Sequence, residues 1–374
     1  MNMRAHLVVG AVLCTALAAS PGALAQAQAL TDPMQREAVA ARRLDKAVLL
    51  SAASAGARVV AVGERGIVAL SDDQGKTWRQ AKRVPTSVTL TIVKFVGEKS
   101  GWAAGHGGVV LHTGDGGESW VLKLDGLRAA QLMLQHAQAE QQRGAPNAAA
   151  LLNEAQRLVQ DGADKPFFDL EASDERHAVL VGAAGLVFST ADGGASWQPW
   201  GGRFDNPRAL NLYAIRRIGA NLLVAGEQGL VFHSADDGAT FARLKSPYDG
   251  SWFTAARQGE DRFVVAGLRG NAYRLGADGN VWTRIGGVPP VSFMSAAAAT
   301  ADCTVLANQG GQLFSVTTRQ DQARRVDAQP LPPVTTTLQL AGGAWLAFTM
   351  NGIFQLGQLK NACSPATSLD SGKP

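Results

Sequence analysis

A chain of 374 residues with 42 glycines, 18% charged side chains and a formal net charge of +4 is rich in tight turns and poor in charge. That imbalance is too weak to argue for nucleic acid. Six histidines without H-x-H or H-E-x-x-H spacing, and only three cysteines, argue against a metal site, and no cofactor is expected.

Arg4 and His6 precede an apolar stretch from Leu7 to Ala19, then Pro21-Gly22 and the small-x-small site Ala23-Leu24-Ala25. This pattern predicts a signal peptide over 1–25, cleaved before Gln26, and therefore a periplasmic protein. The apolar run is too short for a membrane anchor. Cys14 lacks the small residues that a lipidation site needs ahead of it. Cleavage removes Arg4 and lowers the charge to about +3. Residues 26–46 read as an N-terminal segment, 47–360 as the folded body and 361–374 as a flexible tail.

Two repeating signals organise the body. The first is an apolar run, a glycine, two variable residues, a glycine and a second apolar run, as in Gly63-Glu64-Arg65-Gly66 and Gly226-Glu227-Gln228-Gly229. Its last glycine falls at Gly66, Gly108, Gly185, Gly229, Gly270, Gly311 and Gly352, so the steps are 42, 77, 44, 41, 41 and 41 residues. The second signal is a box of hydroxyl, Asp, Gly, hydroxyl and aromatic. Its copies are Ser71-Asp73-Gly75-Thr77-Trp78, Thr113-Asp115-Gly117-Ser119-Trp120, Thr190-Asp192-Gly194-Ser196-Trp197 and Ser234-Asp236-Gly238-Thr240-Phe241. In a fifth, worn copy only Gly279 and Trp282 keep their places. The Asp can accept hydrogen bonds from nearby backbone N–H groups, and the Gly supplies a positive φ, so the boxes read as structural turns.

A period near 41 with four short strands per unit is the mark of a β-propeller blade, and seven markers predict an all-β, seven-bladed propeller. In blade 2 the strands read as A, Leu90–Phe95; B, Gly101–Ala104; C, Val109–His112; and D, Trp120–Leu124. Strands A and B are expected to be apolar because both faces are covered. Blade 7 shows A, B and C at Val334–Leu340, Trp345–Thr349 and Ile353–Leu359, with a fourth strand expected from Gln26–Leu30 or from the tail after Cys363.

The long step holds an insertion over 126–165. Its Ala, Gln, Leu and Glu composition predicts a helical hairpin, Leu127–Gln142 and Ala148–Val159, joined at Gly144-Ala145-Pro146-Asn147. It links strand D of one blade to strand A of the next. In a propeller such D-to-A loops share a face with the B-to-C glycine turns, opposite the boxes, and the hairpin should rise from that face.

The glycine-turn face is therefore the candidate interaction surface. Arg65, His106, Glu227 and Arg269 are expected on its turns, and Arg208 and Trp252 on its loops, as exposed protein contacts. Cys303 opens a blade 6 strand and Cys363 follows the last strand, so in an exported chain the two either pair and clamp the tail onto the ring, the expected reading, or stay independent thiols.

The segments Val62–Trp78 and Gly101–Trp120, which carry both signals, resemble the photosystem II stability and assembly factor family. The resemblance spans nearly the whole mature chain. It implies a seven-bladed propeller without enzymatic activity, whose photosynthetic members bind a newly made membrane subunit through an Arg-rich patch. For the non-photosynthetic branch it implies a periplasmic accessory of an RND-type exporter, a monomer in isolation with a membrane protein complex or transporter subunit as partner. The competing reading is a carbohydrate-binding or glycoside-hydrolysing Asp-box propeller. A sialidase would need three arginines and a Tyr–Glu nucleophile, and neither Tyr213, Tyr248 and Tyr273 nor the pair Asp249 and Glu227 is singled out by spacing. Dense aromatic exposure on the channel face would favour sugar, and a mixed charged and apolar face a protein.

Overall fold

A computed structural model describes residues 32–359 and 362–363. The proposed signal peptide, Gln26–Leu30 and the tail beyond Cys363 lie outside the described residues. Among the described residues the strands form seven antiparallel sheets, six of four strands and one of three, each ordered as the chain runs. Strands A are Leu49–Ala55, Leu90–Val96, Phe167–Ala172, Leu212–Ile218, Trp252–Gln258, Phe293–Thr300 and Val334–Gln339. Each lies beside the A strand of the next blade, and the seventh beside the first, which closes a seven-bladed propeller.

Strand B of every blade is buried nearly end to end, as expected of a strand covered on both faces. Strand A departs from that expectation. Its pattern mixes buried and half-exposed residues, because one edge borders the central channel. Near its start every A strand also skips a residue in its pairing with strand B, as between Leu90 and Ile92 or Trp252 and Thr254. Such a bulge turns the extra side chain out of the sheet.

Side chains stitch all seven seams. Val93 N–H donates to Ser51 Oγ at 3.2 Å, Thr91 Oγ1 to Phe167 O at 2.6 Å, and Ile215 N–H to Asp169 Oδ2 at 3.0 Å. His233 Nε2 meets Ala277 O at 2.7 Å, Gln258 Nε2 donates to Val316 O at 2.9 Å, and Thr337 N–H donates to Ser295 Oγ at 3.1 Å. The ring closes by the same means, with Thr335 Oγ1 donating to Leu49 O at 2.6 Å and Gln355 Nε2 to Gly75 O at 2.8 Å. The channel edge of strand A has no ladder partner, so a polar neighbour removes the cost of an unmet amide there.

The insertion forms α1 (Gly126–Gln142) and α2 (Ala148–Asp161). Asp125 caps α1 by accepting Arg128 N–H at 2.8 Å. The hairpin leaves the glycine-turn face, where the Gly126 Cα lies 2.6 Å from the place a Cβ on Gly108 would take. Ala129, Ala130 and Leu158 then join the core around Phe167, Phe188 and Trp197, so its base is part of the blade 2–3 packing. Ahead of blade 1, residues 32–47 cross the same face as a strap: Pro33 O accepts Ser87 N–H at 2.8 Å and Ala38 N–H donates to Val84 O at 3.0 Å.

Candidate functional site

The glycine turns are built alike. The N–H after the first glycine donates to the carbonyl just ahead of strand A, as Glu64 to Val48 O at 3.2 Å and Leu268 to Ser251 O at 2.9 Å. The last glycine packs on the D-to-A loop: at Gly66, with φ +70°, a Cβ would lie 2.0 Å from Thr86 O. Between them one residue takes a left-handed conformation, namely Arg65 (φ 56°), Gly107, Ala184, Gln228 (φ 51°) and Arg269 (φ 55°). Glycine or Asn is the low-cost choice there. Turn geometry alone therefore does not account for arginine at Arg65 and Arg269, whose exposed side chains have no hydrogen bond or ion pair among the described residues. The same is true of His106 and Arg208, both exposed on this face.

Inside that rim lies a feature the sequence reading missed. The bulge residues of the A strands are Leu50, Thr91, Phe168, Tyr213, Phe253, Met294 and Thr335, and all seven are half-buried around the channel mouth. Phe168, Tyr213 and Phe253 form a continuous row, with ring centroids 5.1 and 5.5 Å apart. An apolar centre within a polar rim is the anatomy of a protein interface. The available signal was the second residue of each A strand, which is aromatic or aliphatic in five of the seven blades.

Two expected contacts change role. Trp252, expected to be exposed, is fully buried: it is the first residue of its A strand, like Leu49, Leu90, Phe167, Leu212 and Phe293, and Phe253 after it reaches the mouth. A one-residue offset on a strand exchanges inside for outside. Glu227 is half-buried and engaged, accepting from Asn211 N–H at 2.9 Å, Asn211 Nδ2 at 3.1 Å and Tyr213 OH at 3.1 Å. It holds Tyr213 in place, and burial together with the neighbouring carboxylate raises the phenol above its ordinary pKa. Deeper in the channel Arg216 pairs with buried Asp169. The Arg216 charge and burial lower the Lys94 ammonium pKa, and burial raises that of Glu171.

The boxes on the opposite face are structural in detail. Thr77 donates from its hydroxyl to Asp73 Oδ2 at 2.6 Å and from its N–H to Oδ1 at 2.8 Å. Ser71 Oγ donates to the same Oδ1 and accepts Gly75 N–H at 2.7 Å. Asp115, Asp192 and Asp236 repeat the pattern with Thr113 and Ser119, Thr190 and Ser196, and Ser234 and Thr240. The hydroxyl and amide donors hold Asp73, Asp192 and Asp236 at about 2. Burial opposes the shift at Asp115, where the Ser119 donors still bring the pKa down. The box glycines face the preceding blade, with Leu346 against Gly75, Val60 against Gly117, Trp102 against Gly194 and Trp200 against Gly238. Trp78 and Trp120 fold back to donate to Gly75 O and Gly117 O, Trp197 donates to Lys123 O, and Phe241 stacks on Phe204. Cys303 and Cys363 form a disulfide.

No curated protein sequence matches the chain. The solved structure described as YCF48 bound to D1 peptide aligns with a TM-score of 0.61 at 17% identity, over 84% of this chain and 94% of that one. YCF48 from Cyanidioschyzon merolae aligns at 0.60 and 14% identity, over 85% and 97%. The WD40 propeller domain of Doa1 aligns at 0.61 and 10% identity, over 88% and 97%, which marks the shared architecture as a propeller. The family model described as Photosynthesis system II assembly factor YCF48 matches residues 35–130 and 149–288, and its gap falls inside the helical hairpin. With well over half of its length covered, the chain belongs to the YCF48 assembly factor family.

Proposed function

We propose that this protein is a non-catalytic, periplasmic binding platform that holds a segment of a membrane protein on its glycine-turn face, with an RND-type exporter subunit as the partner. The observation that carries the reading is the half-buried ring of Leu50, Phe168, Tyr213, Phe253 and Met294 framed by Arg65, Arg208 and Arg269, whose side chains have no partner among the described residues. The apolar ring can receive side chains of a docked segment, and the arginines can pair with its carboxylates or carbonyls. The face mixes aliphatic, aromatic and cationic groups, which suits a polypeptide better than a sugar. Family membership supports an assembly role, and a solved relative is described with a bound D1 peptide. The sequence of residues 1–25 and the Cys303–Cys363 bridge support export to an oxidising compartment.

The test is in vivo cross-linking and pull-down of the tagged protein from its native membranes. Wild type is compared with an Arg65→Glu, Arg269→Glu double variant and with Phe253→Asp. Wild type should recover an RND-type transporter subunit, and both variants should lose it while keeping the wild-type circular dichroism. Recovery undiminished in both variants would remove the site from this face, and recovery of no membrane protein by wild type would end the platform reading.

A further inference from the structure

A basic cleft of about 360 Å³ lies at the edge of the glycine-turn face, between the strap and the glycine turn of blade 1. The strap divides by polarity: Ala41, Leu44 and Ala47 pack into the core shared by blades 7 and 1, while Arg42, Arg43 and Lys46 are left exposed. Gln80 fixes the segment by accepting Ala41 N–H and donating to Val39 O, each at 3.0 Å, and Val39 N–H donates to Arg65 O at 3.2 Å. The cleft therefore has a set backbone under a cover of charged side chains.

Arg42, Arg43, Lys46 and Arg65 line it against one carboxylate, half-buried Glu64. Asp45 is held by Arg43, through Nε at 2.9 Å and Nη2 at 2.7 Å, so that pair is neutral. Glu37, the next acid along the strap, lies 4.0 Å from Arg83. The side chains of Arg42, Lys46 and Arg65 have no hydrogen bond or ion pair among the described residues, and all three are exposed, so a ligand can reach them. With Glu64 offsetting one of them, the cleft keeps an excess of positive charge. The surface beside it is apolar. At Gly352 of blade 7 a Cβ would lie 2.1 Å from Asp45 O and 3.0 Å from Lys46 Cα, so the turn that carries Met350 abuts the strap, and Met350 is 51% exposed. Unmatched cations next to an exposed long apolar side chain suit an anionic bilayer, which offers phosphates to the first and an acyl boundary to the second. An acidic peptide or a free phosphate would use the cations and leave Met350 in water.

We propose that this edge of the propeller docks on anionic phospholipid. Arg42, Lys46 and Arg65 take headgroup phosphates at the cleft, and Met350 enters the acyl boundary. The inference rests on the platform reading for its setting, since a face that holds a segment of a membrane protein stands within reach of headgroups. It turns the blade 7 and blade 1 side of that face toward the bilayer.

The experiment is co-sedimentation of the mature protein with vesicles of phosphatidylglycerol and phosphatidylcholine in equal parts, against vesicles of phosphatidylcholine alone. Binding should require phosphatidylglycerol and fall as salt is added. An Arg42→Glu, Lys46→Glu double variant should bind more than tenfold more weakly, at about fivefold for each basic group lost near a charged surface. Met350→Ser should weaken binding by a smaller factor, with wild-type circular dichroism in both. Phe253→Ala, which alters only the ring that receives the partner segment, should bind vesicles at full strength, so failure of this inference and failure of the platform reading are told apart. Equal sedimentation with neutral vesicles overturns the proposal, as does full-strength binding in the double variant or in Met350→Ser. Loss of vesicle binding to millimolar inorganic phosphate at constant ionic strength would also overturn it, by assigning the cleft to a free anion.

Discussion

Blades 1 to 4 and blades 5 to 7 meet one requirement with different chemistry: the C-to-D loop of each blade must be fixed to the blade before it. In blades 1 to 4 the box does this with a local set of hydroxyl, carboxylate and glycine groups, all within a few residues. Blades 5 to 7 lack an intact box and use long-range partners instead. Ala277 O accepts from His233 of blade 4. In blade 6, Thr317 O, Gln320 O and Asp321 receive Arg274 of blade 5 at 2.6, 2.9 and 3.0 Å. Blade 7 is held by the disulfide from Cys363 to Cys303 of blade 6. A repeated local device is redundant, and a single distant one is not.

That contrast ranks the effects of breaking each anchor. Replacing Cys303 with Ser, or reducing the bridge, frees a loop with a sequence separation of 60. Chain entropy then predicts a loss of about 4 kcal/mol. Urea unfolding with and without reductant measures it, and a loss well under a quarter of that figure would show that blade 7 is held by packing alone. Arg274→Met should cost about 3 kcal/mol, because it strips a nearly buried cation from four acceptors and leaves Gln258 Oε1 unmet. Hydrogen exchange should show the loosening in blades 5 and 6 first. Protection lost evenly around the ring would mean that the anchor is not local.

The smallest effect is shared by the boxes and depends on pH. Asp73, Asp192 and Asp236 have folded pKa values near 2, below an unfolded carboxylate. Their contribution is therefore complete above the unfolded pKa of about 4 and is lost as pH falls through about 2. Blades 1, 3 and 4 should lose amide protection in that window while the disulfide-held blade 7 keeps its own, and Asp192→Asn should flatten the dependence in blade 3. Equal acid sensitivity in Asp192→Asn and wild type would assign the effect to other carboxylates.

Much of this was legible in the residues. The spacing of Gly66, Gly108, Gly185, Gly229, Gly270, Gly311 and Gly352 located seven turns, because only that residue type fits where a backbone carbonyl lies 2.0 Å from a would-be Cβ, as at Gly66 and Gly311. The hairpin was legible from composition to within two residues at its outer ends. The channel mouth was not. Whether Trp252 or Phe253 reaches the channel mouth depends on a bulge one residue long, and two adjacent aromatics carry no sign of which one it displaces.

The sequence by itself determined the period, the turns, the boxes and hence the number of blades, since each rests on groups only a few residues apart. Tertiary structure alone decided the aromatic row of Phe168, Tyr213 and Phe253, the partner of Arg274 across 47 residues, and the closing bond from Thr335 to Leu49. Those contacts join separate blades, and the side chains that make them are chosen by the geometry of a seam that exists only once the ring has closed.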